Sequence, residues 1–298
     1  GEALDELLSV SIASLMAAGV VTLKQVAQDG IRVRASAGAG SFRRKEKLEG
    51  YLDTARAEVA RLKAELEADP AAAERARDAA RRRAAHEREA RLPELEAIKQ
   101  RQGKQPEQAR VSMTDAEATV MQRGDGGFRP AYNPQLASDA DSLVLVGVEV
   151  VTVGRDQGQM VPMVEQVRER CGRAPDAWLV DGGSVGHDQI DQASMSTVVY
   201  GPVPEPKDNT VDPHQVKASD SDAVAAWRQR MGTDEAKALY KRRAATAECV
   251  NAQSRNRGLQ QFTVRGVAKV TCVMLIFALA HNLMRMVSLA PDLIGIGT

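Results

Sequence analysis

Residues 177–180, AWLV, are apolar without a break and run directly into Asp181, Gly182 and Gly183. A strand with no polar position on either side has both faces covered, which places it inside a sheet that carries helices. The glycines then stop it, so Asp181 falls at the carboxyl end of a buried strand. Other segments supply the rest of such a sheet. In KQVAQDGIRVRA, Ala27, Asp29, Ile31, Val33 and Ala35 share one face by period two, and Gln28, Arg32 and Arg34 share the other. AYNPQLASD and LVLVGVEVVTV read as adjacent strands joined by a short Asp/Ser turn, and TVVY as a further short strand. Helical segments are expected near residues 159–170, from the loop GPVPEPKDNTVDPH through Glu248, and at the end of the chain. The fold class is therefore α/β, a mixed sheet flanked by helices.

One segment does not belong to the sheet. Leu48, Leu52, Ala55, Val59, Leu62 and Leu66 step by four and three, a coiled-coil-like seam, and Asp69-Pro70 ends it before a second Ala- and Arg-rich helix. Residues 42–109 are thus expected to form an inserted helical hairpin. From 43 to 101 the segment holds 16 Lys/Arg against 13 Asp/Glu. So small an excess makes a self-paired, solvated surface and a weak site for a polyanion. Residues 1–22 read as a linker helix, leaving 23–41 and 110–298 for the sheet domain.

At 298 residues with 43% hydrophobic side chains, the chain can bury a sizeable core. Forty basic residues balance forty acidic ones, so affinity for nucleic acid has to come from local arrangement. Cys171, Cys249 and Cys272 are far apart and in no metal-ligand spacing, which suits reduced thiols and a cytoplasmic location. The start lacks the basic region and cleavage site of a secretory signal, and beginning with Gly it suggests a fragment. VTCVMLIFALA, residues 270–280, is short for a membrane crossing and is expected as a buried helix. Trp178 reads as core, Trp227 as partly exposed, and His187 as a loop or helix-start residue.

Three acids stand out by position. Asp29 lies on an apolar strand face, where a carboxylate costs several kcal/mol unless it is paired or bound to metal. Asp181 ends the buried strand, although Asp-Gly alone is common turn chemistry. Glu248 is the only carboxylate between Lys237 and Arg257, among Lys237, Lys241, Arg242, Arg243, Arg255 and Arg257. It could be a surface helix ion pair with Lys241 or Arg255. Together the three suit hard divalent cations such as Mg²⁺, which take oxygen ligands and substrate phosphate. The bases around Glu248 would then hold a nucleic-acid backbone. On a regular helix, Lys241 and Arg255 lie within about 20° of Glu248.

These residues carry a resemblance. QDGIRVRASAG, GGFRPAYNPQLASD, DQGQMVPMVEQ, WLVDGGSVGHDQID, YKRRAATAECVNAQSRNRGLQQFTVRGVAKV and ALAHNLMRM, in this order, resemble the DDE transposases of bacterial insertion sequences that carry a Tyr-x2-Arg-x3-Glu-x6-Lys signature. The resemblance implies a ribonuclease H-like fold and metal-dependent DNA cleavage and strand transfer. It implies two Mg²⁺ ions, which Mn²⁺ can replace, on Asp29, Asp181 and Glu248. DNA-phosphate contacts are implied for Tyr240, Arg243 and Arg255, with Lys241 and Arg257 added from the basic surround. Implied partners are the element's terminal repeats and target DNA, handled by a homodimer near the nucleoid, with no membrane. The chain departs from the signature in having four residues between Arg243 and Glu248. On a regular helix that swings Arg243 by about 100°, unless the helix bulges or begins late, and Lys241 is the substitute expected otherwise. Arg255 stands where the signature has Lys, which keeps the charge. Nothing reads as helix-turn-helix before Asp29, and with the Gly start and the irregular spacing before Glu248 this makes an inactive transposase remnant, acting only as a DNA-binding or interaction protein, the alternative.

Overall fold

The computed structural model describes residues 1–44, 47, 50, 53, 57, 60, 64, 75–122, 126–206, 208 and 210–295. In chain order the elements are α1 (Glu2–Ala17), β1 (Gln25–Gly30), β2 (Val33–Arg34), β3 (Phe42–Arg44), α2 (Arg75–Arg101), β4 (Arg110–Ser112), β5 (Thr119–Gln122), β6 (Phe128–Asp139), β7 (Leu145–Val151), α3 (Met160–Cys171), β8 (Ala177–Leu179), α4 (His187–Ala193), β9 (Val198–Tyr200), α5 (Asp222–Met231), α6 (Asp234–Arg243), a π-helical turn (Ala244–Glu248), α7 (Cys249–Asn256) and α8 (Val267–Leu289). The chain divides into two compact units. One comprises Gly1–Val33, Asn133–Gln260 and Ala268–Thr298, the other Arg34–Tyr132 and Gln261–Val267.

The first unit is the α/β body. Its sheet runs β7-β6-β1-β8-β9, with β6 antiparallel to both β7 and β1, and β1, β8 and β9 parallel. Parallel strands need covering, and β8 with Ala177, Trp178 and Leu179 is buried throughout, as the unbroken apolar run requires. The face of β1 that carries Gln28 is closed as well. Gln28 donates to Gln135 Oε1 and to the Gln159 carbonyl, both at 3.1 Å, and accepts from Trp178 Nε1 at 3.1 Å. Trp227, expected to be partly exposed, is fully buried, because its indole N–H reaches the Gly201 carbonyl at 3.1 Å and satisfies the one polar atom that would hold it at the surface.

The turn between β6 and β7 is the Asp/Ser type expected. Asp139 Oδ1 accepts from the Ser142 amide and hydroxyl at 2.9 and 2.8 Å, and Leu143 takes a positive φ of 58°. Helix α8 grips this turn. His281 Nε2 lies 2.8 Å from the Leu143 carbonyl, Arg285 donates to Ser142 O at 2.7 Å, and the Asn282 amide pairs with both backbone groups of Leu145 at 2.8 Å. Gln166 of α3 does the same to Val148, receiving its N–H at 2.8 Å and donating to its carbonyl at 3.0 Å. Two side-chain amides therefore occupy hydrogen-bonding groups of the edge strand β7. By length and composition α8 could cross a membrane, with 33% of its most apolar window buried inside the protein.

In the second unit β3 and β4 pair antiparallel, Phe42 against Ser112 and Arg44 against Arg110, and bracket the inserted segment. Leu92 of α2 packs with Ala109, Val111 and Ala116. The amino-terminal part of β6 pairs with β5, and the buried Tyr132 hydroxyl donates to Asp115 Oδ1 at 2.7 Å. The second helix expected of the hairpin is α2, whereas the heptad seam from 48 to 66 lies outside the described residues.

The Asn282 amide suggests a direct test. Asn282→Leu keeps the branched shape but strands a buried N–H and C=O of Leu145, so urea denaturation should show a loss of about 2 kcal/mol or more, with the m-value unchanged.

Candidate active site

Parallel pairing aligns Ala27 of β1 with Leu179 of β8. Asp29 and Asp181 each lie two residues further on, and the period of two sends both side chains to the same side at the carboxyl ends of adjoining strands. This is where α/β sheets present their chemistry. Both acids line one cleft of about 930 Å³ in the first unit, together with Glu248, Arg243 and Arg255. The cleft thus brings together the three acids and two of the bases singled out in the sequence.

Asp29 is the most constrained of them. Its Oδ1 accepts from the Gly30 amide at 3.0 Å and pairs with Arg243 at 3.2 Å, and its Oδ2 accepts from Asn251 Nδ2 at 2.8 Å. Burial pushes its carboxyl up to about 6; Asp181 and Asp156 nearby push in the same direction, against Arg243 and the Gly30 amide. Asp181 Oδ1 is held by the Ser184 amide at 3.0 Å and hydroxyl at 2.8 Å. Glu248 is exposed and forms no ion pair among the described residues, so the surface pairing with Lys241 or Arg255 is not made. Burial also raises the Tyr240 hydroxyl, Arg243 opposes, and Asp181, Asp29 and Glu248 raise it further. One phenol feels all three carboxylates.

The extra residue before Glu248 is absorbed by a π turn. Residues 244–248 adopt π-helical bonding between α6 and α7, which adds one residue to the turn without ending the helix. Arg243 therefore reaches Asp29. Lys241 was the expected substitute, on a wheel that assumes regular α-helix; the bulge breaks that wheel, and Lys241 is exposed and does not line the cleft. Arg257 does not line it either, and lies 2.9 Å from His281 Nδ1. Asp156 and Asn251 both line the cleft and went unnoticed in the sequence. Asn251 is three residues beyond Glu248, the spacing that puts two side chains on one helix face.

The donors suit a hard cation in kind: they are oxygens only, and like charges gathered around a half-buried Asp29 call for positive charge. In the arrangement seen, Arg243 supplies that charge. Among the described residues no three His, Cys, Asp or Glu side chains are grouped to hold a metal ion, so closer approach of the acids is required for shared coordination.

The raised carboxyl has a consequence for stability. A group at 3.8 when unfolded and about 6 when folded contributes stability that is complete below pH 3.8 and lost as the pH rises through about 6. Without divalent ions, urea denaturation should show wild-type stability falling relative to Asp29→Asn by up to about 3 kcal/mol from about pH 4 to about pH 7, at 1.36 kcal/mol per pH unit.

A family model described as a transposase DDE domain matches residues 206–287, a stretch that contains Tyr240, Arg243, Glu248 and Arg255 but neither Asp29 nor Asp181. No curated relative and no solved structure matches the chain at a significant level. Over residues 206–287 the chain is similar to a transposase DDE domain, and this supports a DDE-type transposase.

Proposed function

We propose that this chain is the catalytic part of an insertion-sequence transposase with a ribonuclease H-like fold, which cuts DNA at the element's ends and joins it to a target. The observation that carries this reading is the matched placement of Asp29 and Asp181 at the carboxyl ends of adjoining parallel strands, with Glu248 lining the same cleft from the stretch similar to a transposase DDE domain. Asp29, Asp181 and Glu248 are the residues that would hold Mg²⁺ or Mn²⁺. Two such ions, when bound, activate a water or hydroxyl and stabilise the leaving oxygen of a phosphodiester.

The chain's own residues do the rest. Arg243 and Arg255 neutralise the DNA backbone at the cleft, and the orphan Nε of Arg243, buried with no hydrogen-bond partner among the described residues, has a donor to offer a phosphate oxygen. Tyr240, its hydroxyl raised, keeps its proton at neutral pH and has a hydrogen-bond donor to offer a phosphate oxygen. Asn251 fixes the rotamer of Asp29 through Oδ2, so the carboxylate keeps its orientation when Arg243 turns to DNA. Positioning and charge stabilisation of this kind are the larger part of phosphoryl-transfer catalysis.

Supercoiled plasmid carrying the coding region's own flanking DNA, incubated with Mg²⁺, tests the reading. Asp181→Asn should fold as the wild type does and lose nicking by more than about 100-fold. Cutting at the wild-type rate would remove the assignment.

A further inference from the structure

We propose that the loop at residues 154–157 is a second wall for the DNA backbone, with Arg155 as its phosphate contact and Asp156 as the residue that positions it. The inference rests on the functional reading above and adds residues that the transposase resemblance left without a role.

The loop follows β7 and is pinned from beneath. Asp156 is 8% exposed; its Oδ1 accepts from Asn133 Nδ2 at 2.8 Å and Gln135 Nε2 at 2.6 Å, and its Oδ2 pairs with Arg32 at 3.3 Å. Arg32 also donates to the Gly154 carbonyl at 2.9 Å, and Asn133 Nδ2 to Val153 O at 3.2 Å. Room for this cluster exists because residue 30 has no side chain. A Cβ there would fall 2.5 Å from Gln135 Nε2 and 2.6 Å from Asn133 Oδ1, and closer still to Asp156 Oδ1.

With Asp156 turned inward, Arg155 is turned outward. It is exposed, lines the cleft, and has no hydrogen-bond or ion-pair partner among the described residues, although four acids line the same space. Arg255 is in the same state on the segment that follows Glu248. An arginine on a pinned loop loses little backbone freedom on binding, and its planar fork suits a phosphate. Two unpaired guanidiniums from two segments, with the acids in the same cleft, fit a single strand held at two phosphates while the bond between them is presented to Asp29, Asp181 and Glu248.

The test uses the full chain with fluorescein-labelled duplexes, one from the coding region's flanks and one of scrambled sequence, with anisotropy read over a range of salt concentrations. Arg155→Gln should weaken binding to both duplexes by about tenfold and lower the slope of log affinity against log salt by about one, as Arg255→Gln should. Arg168→Gln, at an exposed arginine of α3 paired with Glu165, should leave both unchanged. Asp156→Ala should weaken binding as Arg155→Gln does, and the double variant should lose no more than either alone. Wild-type affinity and slope in Arg155→Gln, beside a loss in Arg255→Gln, would overturn the proposal and leave the functional reading intact. Failure of the wild-type chain to bind either duplex would overturn both.

Discussion

A half-buried carboxylate at the end of a central strand, with two others near it, calls for positive charge or a proton. Asp29 is that group, and much of the site follows from how its demand is met. Arg243 and Asn251 reach it from the two sides of one π turn, tying the helix of residues 234–256 to β1. The same tie brings Glu248, between them, to the cleft. Electrostatic need and helix placement are thus one constraint. Replacing Arg243 by divalent ions would satisfy the same carboxylate and free a guanidinium for phosphate.

Most of the sheet was legible because strands covered on both faces leave a plain trace. AWLV is unbroken because β8 is buried all round, and Asp181 is found by where the run stops. The alternation in β1 marked Asp29, and the Asp/Ser turn between β6 and β7 was visible in its residues. What failed was whatever needed a helix to be regular or a partner to be known. Lys241 was favoured by a wheel that the π turn invalidates, and Trp227 was left partly exposed because a carbonyl acceptor 26 residues away cannot be read from the chain. Asp156 had a signal available, an acid just past a strand end like Asp181, but its burial depends on Asn133 and Gln135 from another strand. Asn251 could have been found from its spacing to Glu248.

Glycine at position 30 shows how closely backbone and site are coupled. The atom it lacks is the one that would displace Asp156, Gln135 and Asn133 together, so a single hydrogen in place of a methyl sets both the loop at residues 154–157 and the space beside Asp29. Such a position is chosen for clearance; the conformational freedom of glycine is not what it uses.

The amides of Asn282 and Gln166 on β7 bear on assembly. An outermost strand with free peptide groups is a template on which a neighbouring molecule can continue the ladder, and growth of that kind leads to uncontrolled association. Here each amide mimics one peptide unit of a missing neighbour and ends the ladder from within the same chain. Copies of the chain can in this way crowd together without their sheets fusing along that border.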